Sequence, residues 1–378
     1  MKTGRKQLIE IYDLVHKIAI NIIFLSLEIT YAILYNAIKR GCIHMILLER
    51  TIPAKMELLE VVLRRGILEN ELFEKLNASY QLIKSGYWGE NRVDKEWKDI
   101  NIQQKHYLMH NYESQTQWGH SHQIDTMFLC VHFILLIEVK NIAGRLDFEY
   151  EKHQLIRTKQ DGIKEGFANP IDQIERHVTF AQNIINYLGI NIPIIPAIIS
   201  ANPSTIIGTV PPNFLIFHAT GLNTKVNQLF NKFSKTSIND NQLELLKEEL
   251  LRRYKKKVTS KMVLDIDIVN GALCKRCQSP VQMEHHKIYF ICPNCKFCQK
   301  SKDAIIESLR DYKILYDEWI TNAEFRTFFN IRSQQTVYKM INRLKMKAEG
   351  NGKAKKYRIP DFDNEDEKNC LDSITKNI

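Results

Sequence analysis

The amino-acid sequence predicts an α/β core followed by a small cysteine-built module and a helical C-terminal module. Three patterns carry this prediction. Apolar runs rich in β-branched and aromatic residues at 122–140, 193–200 and 214–218 read as strands, with an amphipathic helix at 169–189 among them. Five of the eight cysteines fall between Cys274 and Cys298. Beyond them, two short helical patterns precede a basic hairpin, KAEGNGKAKKYRI. A chain of 378 residues predicts two or three domains rather than one. A formal charge of +10 and a pI near 9.0 suit a polyanionic partner. Cysteines gathered in one short segment argue for a metal site in a reducing cytoplasm, not a disulfide framework.

Residues 1–44 stand apart. IAINIIFLSLEITYAILY at 18–35 follows a basic start and has the character of a signal anchor. Its Ile, Leu and Phe residues together favour insertion by about 4–5 kcal/mol. Glu28 at its midpoint costs about 3 kcal/mol, and Asn21, Ser26 and Thr30 remove much of the remainder. The balance is close to zero. Residues 1–44 are therefore read as an over-long gene assignment ahead of a start at Met45, with membrane anchoring through 18–35 as the alternative. Residues 45–83, opening MILLERTIPAKMELLEVVLRRG, read as an N-terminal helical segment.

GYWGENRV at 86–93 then places Glu90 just inside a helix. HQIDTMFLCVHFILLIEVK at 122–140 reads as an antiparallel hairpin centred on Val131–His132. With the turn there, Asp125 faces Glu138 at roughly 5 Å between Cβ atoms. Strand alternation returns Lys140 to the same face. Two carboxylates so placed can hold a hard cation such as Mg²⁺ through oxygen. The lysine can orient a water or offset charge on a phosphate. A second Glu-x-Lys, Glu96–Lys98, sits in RVDKEWKD with no apolar strand before it and reads as a solvated helical turn. In NPIDQIERHVTFAQNIINYLG at 169–189, Asn169 can cap and Pro170 suits the first helical position. Ile171, Ile174, Val178, Ala181, Ile185 and Leu188 form one buried stripe. Gln173 and His177 lie one turn apart on a neighbouring face.

Together these segments resemble the NERD domain, the nuclease-related domain of bacterial proteins, from residue 84 to about 200, a third of the chain. The resemblance rests on Gly86–Tyr87–Trp88–Gly89–Glu90, Gln123–Ile124–Asp125, Ile137–Glu138–Val139–Lys140–Asn141, and Asn169–Pro170 with Gln173 and His177. It implies a restriction-endonuclease-like core of the PD-(D/E)xK group over 84–218. It further implies Asp125 and Glu138 as ligands of Mg²⁺ or Mn²⁺, Lys140 as the catalytic lysine and Glu90 as an auxiliary ligand. Gln173 is similar to the glutamine of the later helical motif of this superfamily. Two positions depart from the pattern: Ile124 replaces the proline before the first Asp, and His177 stands where some branches carry tyrosine. The opening at Met45 also resembles the start of NERD proteins. The implied function is a metal-dependent nuclease acting in DNA processing. Two alternatives remain: a nucleic-acid-binding or interaction protein that keeps the fold without turnover, and a membrane-tethered DNA-processing protein.

Residues 219–270 are polar and read as a helical linker; NQLELLKEELLRRYKKK ends in a basic run that is a solvated helix end or tracks a nucleic-acid backbone. In 271–300, Cys274-x2-Cys277 and Cys292-x2-Cys295 each form a knuckle giving two thiolates to one structural, tetrahedral Zn²⁺, a zinc ribbon. Lys275, Arg276, Lys296 and Lys300 would offset the thiolate charge. Cys298 is an alternative to Cys295, and His285 or His286 could compete. SKDAIIESLRDYKILYDEWI at 301–320 reads as a helix, and Thr321–Glu324 as a capping box opening the next. Ser333 caps a further helix with Val337, Ile341 and Leu344 inward. Helix, turn, helix and basic hairpin resemble a winged helix-turn-helix. Lys339, Asn342 and Arg343 on its second helix, with Lys353, Lys355 and Lys356 on the wing, are the candidate nucleic-acid contacts, DNA being the preferred partner. The alternative is an amphipathic hairpin serving a protein contact. Residues 361–378 read as a disordered end.

Overall fold

A computed structural model describes residues 45–115, 121–256 and 266–362. These fall into two units, 45–51 with 88–256 and 52–87 with 266–362. In chain order the strands of the first unit are β1 (Met45–Leu48), β2 (His106–Gln115), β3 (Ser121–Cys130), β4 (Ile134–Lys140), β5 (Gly144–Glu149), β6 (Gln154–Thr158), β7 (Lys164–Ala168), β8 (Ile194–Ser200), β9 (Thr205–Ile207) and β10 (Leu215–His218). Helix α1 (Ala54–Arg65) belongs to the second unit, and the last residues of α2 (Asn70–Trp97) belong to the first. Helices α3 (Pro170–Tyr187), α4 (Leu222–Lys232) and α5 (Asp240–Arg253) complete the first unit.

Its main sheet runs β1-β2-β3-β4-β8-β10. The centre is antiparallel, and β4, β8 and β10 are mutually parallel. Strand β4 is buried along its whole length until Lys140, because helices cover both faces of the sheet. On one face Met109, Met127 and Leu136 pack with Ile174 and Ile184 of α3 and Leu246 of α5. On the other, Leu108, Phe128 and Leu135 pack with Val93 and Trp97 of α2 and Val226 of α4. A second sheet, β7-β6-β5-β9, extends from β4.

The hairpin pairs from Thr126↔Ile137 to Leu129↔Ile134, centred on Val131–His132 as the apolar pattern predicts. One further step puts Asp125 opposite Glu138. Asn111 of β2 is left-handed, with φ 49°. There the β2–β3 pairing steps from His110↔Thr126 to Tyr112↔Ile124, and the residues feeding one core switch parity, from Met109 to Tyr112 and from Met127 to Ile124. Asp125 sits at that switch.

Three local readings change in the first unit. Residues 45–83 do not open as helix, since Met45–Leu48 joins the sheet beside β2. The stretch read as a linker contains α5, whose Leu243, Leu246 and Leu250 recur at helical spacing and enter the core. His177 lies on the buried face of α3 with Phe180, because that helix is covered over a wider arc than the apolar stripe implied.

The second unit contains β11 (Glu284–His286), β12 (Tyr289–Ile291), β13 (Cys298–Lys300), α6 (Ser301–Leu315), β14 (Trp319–Thr321), α7 (Asn322–Phe329), α8 (Gln334–Arg343), β15 (Lys347–Glu349) and β16 (Lys356–Arg358). Trp319–Thr321, expected to finish a helix, is a strand paired with β16 in the sheet β14-β16-β15. The caps are as predicted: Thr321 and Glu324 close a capping box, and Ser333 Oγ accepts from Thr336 N–H. Cys274 and Cys292 share one core with Phe290, Leu309, Phe325 and Ile341, so cysteine module and helical module pack as one body. No helix among the described residues is long and apolar enough to cross a membrane. Residues 18–35 and 363–378 lie outside the described residues.

Candidate active site and metal centres

The charged end of the hairpin is assembled from three elements. Asp125 is the second residue of the buried run of β3, and its Oδ2 accepts from the Val139 N–H at 2.7 Å. Glu138 is only 2 % exposed. Its Oε1 accepts from Lys140 Nζ at 2.6 Å and its Oε2 from Gln173 Nε2 at 2.8 Å. Gln173 Oε1 in turn accepts from Lys140 Nζ at 3.3 Å. Gln173 reaches them because Asn169 caps α3 through the Ile171 N–H at 3.1 Å, which fixes where the helix begins. The structure therefore brings Asp125, Glu138, Lys140 and Gln173 together. In the parallel β4–β8 register Lys140 faces Ser200, whose hydroxyl is buried without a hydrogen-bond partner among the described residues.

Glu90 joins from α2. A Cβ on Gly89 would lie 2.5 Å from Asn141 Cβ, so only glycine lets the helix approach the end of β4 this closely. Arg50, just after β1, is the residue the sequence reading missed. Its Nη1 donates to Glu90 Oε2 and, at 2.8 Å, to Asn111 Oδ1. Its Nη2 donates to the Asp125 carbonyl at 2.8 Å, and its Nε to Asp94 Oδ2 at 2.5 Å. Asp94 also meets His110 Nδ1 at 3.1 Å. Asp94 stands four residues after Glu90, a helical spacing that was readable; Arg50 had no local signal. In the second tripeptide, Glu96–Lys98, Lys98 is exposed just past the end of α2 and lines a small cavity with Arg50, Asp94 and His110, with no strand carboxylate facing it as at Asp125–Glu138.

Crowding sets the electrostatics. Burial, then the Asp125 charge, pushes the Glu138 carboxyl up to about 8, and Lys140 offsets only part of this. Burial, Asp125 and Asp94 push Glu90 up to about 8 against the pull of Arg50. Asp125 is likewise raised by burial. Asp94 goes the other way: burial would raise it, but His110 and Arg50 hold it below the usual carboxylate range. Burial, with His122 and Arg176 nearby, pushes His177 down to about 4, and its Nδ1 lies 3.4 Å from that of His122. An all-oxygen donor set of crowded carboxylates suits Mg²⁺ or Mn²⁺. Glu90, Asp125 and Glu138 do not form a three-ligand group within 4.8 Å, and Val139, Lys140, Gln173 and Arg50 each donate to a carboxylate oxygen.

Four thiols do converge. The Sγ atoms of Cys274, Cys277, Cys292 and Cys295 all lie within 4.8 Å of one another, the one such group among the described residues. Backbone N–H groups of Arg276 and Cys295 point at the Cys274 and Cys292 sulfurs, the knuckle pattern that stabilises thiolates. Sulfur donors in this number fit a tetrahedral Zn²⁺. Cys298 is outside the group, paired with Ile291 across the β12–β13 ladder.

On the winged module, Lys339, Asn342 and Arg343 are exposed along α8. Lys355 lies over the Tyr357 ring and Lys356 over Trp319. The Lys353 side chain is outside the described residues. A groove of about 720 Å³ between α7, α8 and the wing is lined by Arg326, Lys339 and Lys355 and by no carboxylate.

Residues 85–201 match the family model described as NERD, nuclease-related domain. That span holds Glu90, Asp125, Glu138, Lys140 and Gln173, but neither Arg50 nor the four clustered cysteines. No curated protein matches the chain.

Proposed function

We propose, from the match to a nuclease-related domain, that the protein is a metal-dependent nuclease acting on phosphodiester bonds of DNA. The observation that carries this reading is the bonded trio Glu138, Lys140 and Gln173 with Asp125 beside it at one strand end inside the matched span. Asp125 and Glu138 would hold Mg²⁺ or Mn²⁺, with Glu90 as auxiliary ligand. Bound there, such a cation would supply Lewis acidity to a phosphate and lower the pKa of a coordinated water. Lys140, whose side chain is 26 % exposed, positions the attacking water or carries developing charge on phosphate oxygen. Gln173 holds Glu138 and Lys140 at fixed separation through opposite ends of one amide. The buried apolar strands around Asp125 keep competing water away from the carboxylates.

In the second unit Cys274, Cys277, Cys292 and Cys295 would hold a structural Zn²⁺. Lys339, Asn342, Arg343, Lys353, Lys355 and Lys356 would supply contacts to the nucleic acid. Clustered thiols at this spacing favour a reducing, cytoplasmic setting. One observation favours a second reading, a nucleic-acid-binding protein without turnover: the three carboxylates do not close within metal-ligand spacing. A cleavage assay on single- and double-stranded DNA and RNA, with and without Mg²⁺ or Mn²⁺, separates the two. Metal-dependent cleavage is the outcome expected for the enzyme. Binding without cleavage of any substrate would replace it with the second reading.

A further inference from the structure

We propose that Arg50 is a positioning residue of this same site, so that its working unit begins at β1, upstream of the span that matches the nuclease-related family. The inference rests on the nuclease reading above. The Arg50 side chain is 3 % exposed. A guanidinium presents five donors in a rigid planar fork. Here its three nitrogens meet acceptors on three elements: Glu90 and Asp94 on α2, Asn111 on β2, and the Asp125 carbonyl with Thr126 Oγ1 on β3. Its two bonds to Asp94 tie it to α2, and the three donors that remain are equally buried and also need acceptors. The additional bonds go to the carboxylate of one proposed metal ligand and to the main chain of another.

The chain is shaped to deliver it. The pairing of β1 with β2 shifts between Ile46 and Leu48, a bulge-type irregularity two residues before Arg50. The guanidinium then arrives at left-handed Asn111, the point where β2 and β3 switch parity and Asp125 is set. His110 Nδ1 stands beside the guanidinium, 3.1 Å from both Asp94 Oδ1 and Thr126 Oγ1. Arg50 thereby fixes the direction of the Glu90 carboxylate relative to Asp125 and places a permanent positive charge behind the acidic cluster.

The test uses the full chain with Arg50→Met, Arg50→Lys and Asp94→Asn, with zinc content checked in each. Two readouts are taken: Mn²⁺ binding by calorimetry without substrate, corrected by the Glu138→Gln variant, and the Mg²⁺ concentration giving half-maximal cleavage. Loss of such an outer partner costs about 10–100-fold in metal affinity. Arg50→Met should show that loss in both readouts with nucleic-acid affinity unchanged. Arg50→Lys should lose about tenfold or more, because an ammonium cannot span the fork. A lower melting temperature with wild-type Mn²⁺ affinity would mean a merely structural role and overturn the proposal. If Arg50→Met does not fold, wild-type Mn²⁺ affinity in both Arg50→Lys and Asp94→Asn overturns it equally. If the wild type cleaves nothing yet its Mn²⁺ affinity depends on Arg50, the positioning role stands and the nuclease reading falls. If the wild type binds no Mn²⁺ at this site, both fall.

Discussion

Gly89→Ala tests how Glu90 is placed. The new Cβ would meet Asn141 Cβ at 2.5 Å, Cγ at 3.0 Å and Nδ2 at 3.3 Å, where ordinary contact begins at 3.4 Å. Asn141 Cβ is fixed to its own main chain and cannot swing aside, so α2 must move off β4 by about an ångström. Two effects of opposite sign set the stability. Alanine gains about 1 kcal/mol over glycine within a helix. Overpacking costs about 1–3 kcal/mol. The net is a loss of up to about 2 kcal/mol. Activity should suffer more, since an ångström of misplacement at a reacting centre costs on the order of 100-fold. Gly86→Ala is the internal control: it lies in the same helix, and its Cβ would meet nothing within 4 Å. It should stabilise by about 0.5–1 kcal/mol and leave cleavage unchanged. Thermal denaturation and initial rates of Mg²⁺-dependent cleavage read both variants. Gly89→Ala behaving like Gly86→Ala in both would refute the close-approach account.

The remaining predictions concern the other sites. Metal analysis should find one Zn²⁺ per chain; Cys274→Ser or Cys292→Ser should lose it and destabilise the second unit, while Cys298→Ser retains it. Lys339→Ala and Arg343→Ala should each weaken nucleic-acid binding and lower the slope of log affinity against log salt by about 1, measured by fluorescence anisotropy. Gln173→Ala should leave nucleic-acid binding intact and reduce turnover by about 10–100-fold, because Glu138 and Lys140 lose their common brace.

What the sequence made legible follows the range of the interactions. The Asp125–Glu138 register was readable because hairpin pairing obeys a period of two and the turn fixes its phase. The α3, α7 and α8 caps were readable because each is settled within three residues. The four cysteines were readable from spacing, and Cys298 separates from them because its strand carries it away. Arg50 was not readable: its partners on α2, β2 and β3 are 40 to 76 positions distant, and nothing local marks an arginine for burial. Residues 219–270 read as helical and polar, but only the tertiary fold shows that Leu243, Leu246 and Leu250 cover the sheet instead of bridging domains. Trp319–Ile320 continued an apolar pattern that a helix or a strand could use. Pairing with Tyr357 and Arg358 decided it.

The central claim is that Asp125 and Glu138 build a metal-dependent phosphodiesterase site. The measurement that tests it most directly compares wild type, Asp125→Asn and Glu138→Gln for cleavage of labelled DNA across Mg²⁺ and Mn²⁺ concentrations, with DNA binding measured in parallel. Each variant removes one charged oxygen ligand while preserving shape. The account predicts that cleavage is abolished in both, with binding retained or tightened as local negative charge falls. Cleavage at the wild-type rate in either variant would contradict it and place the chemistry elsewhere in the chain.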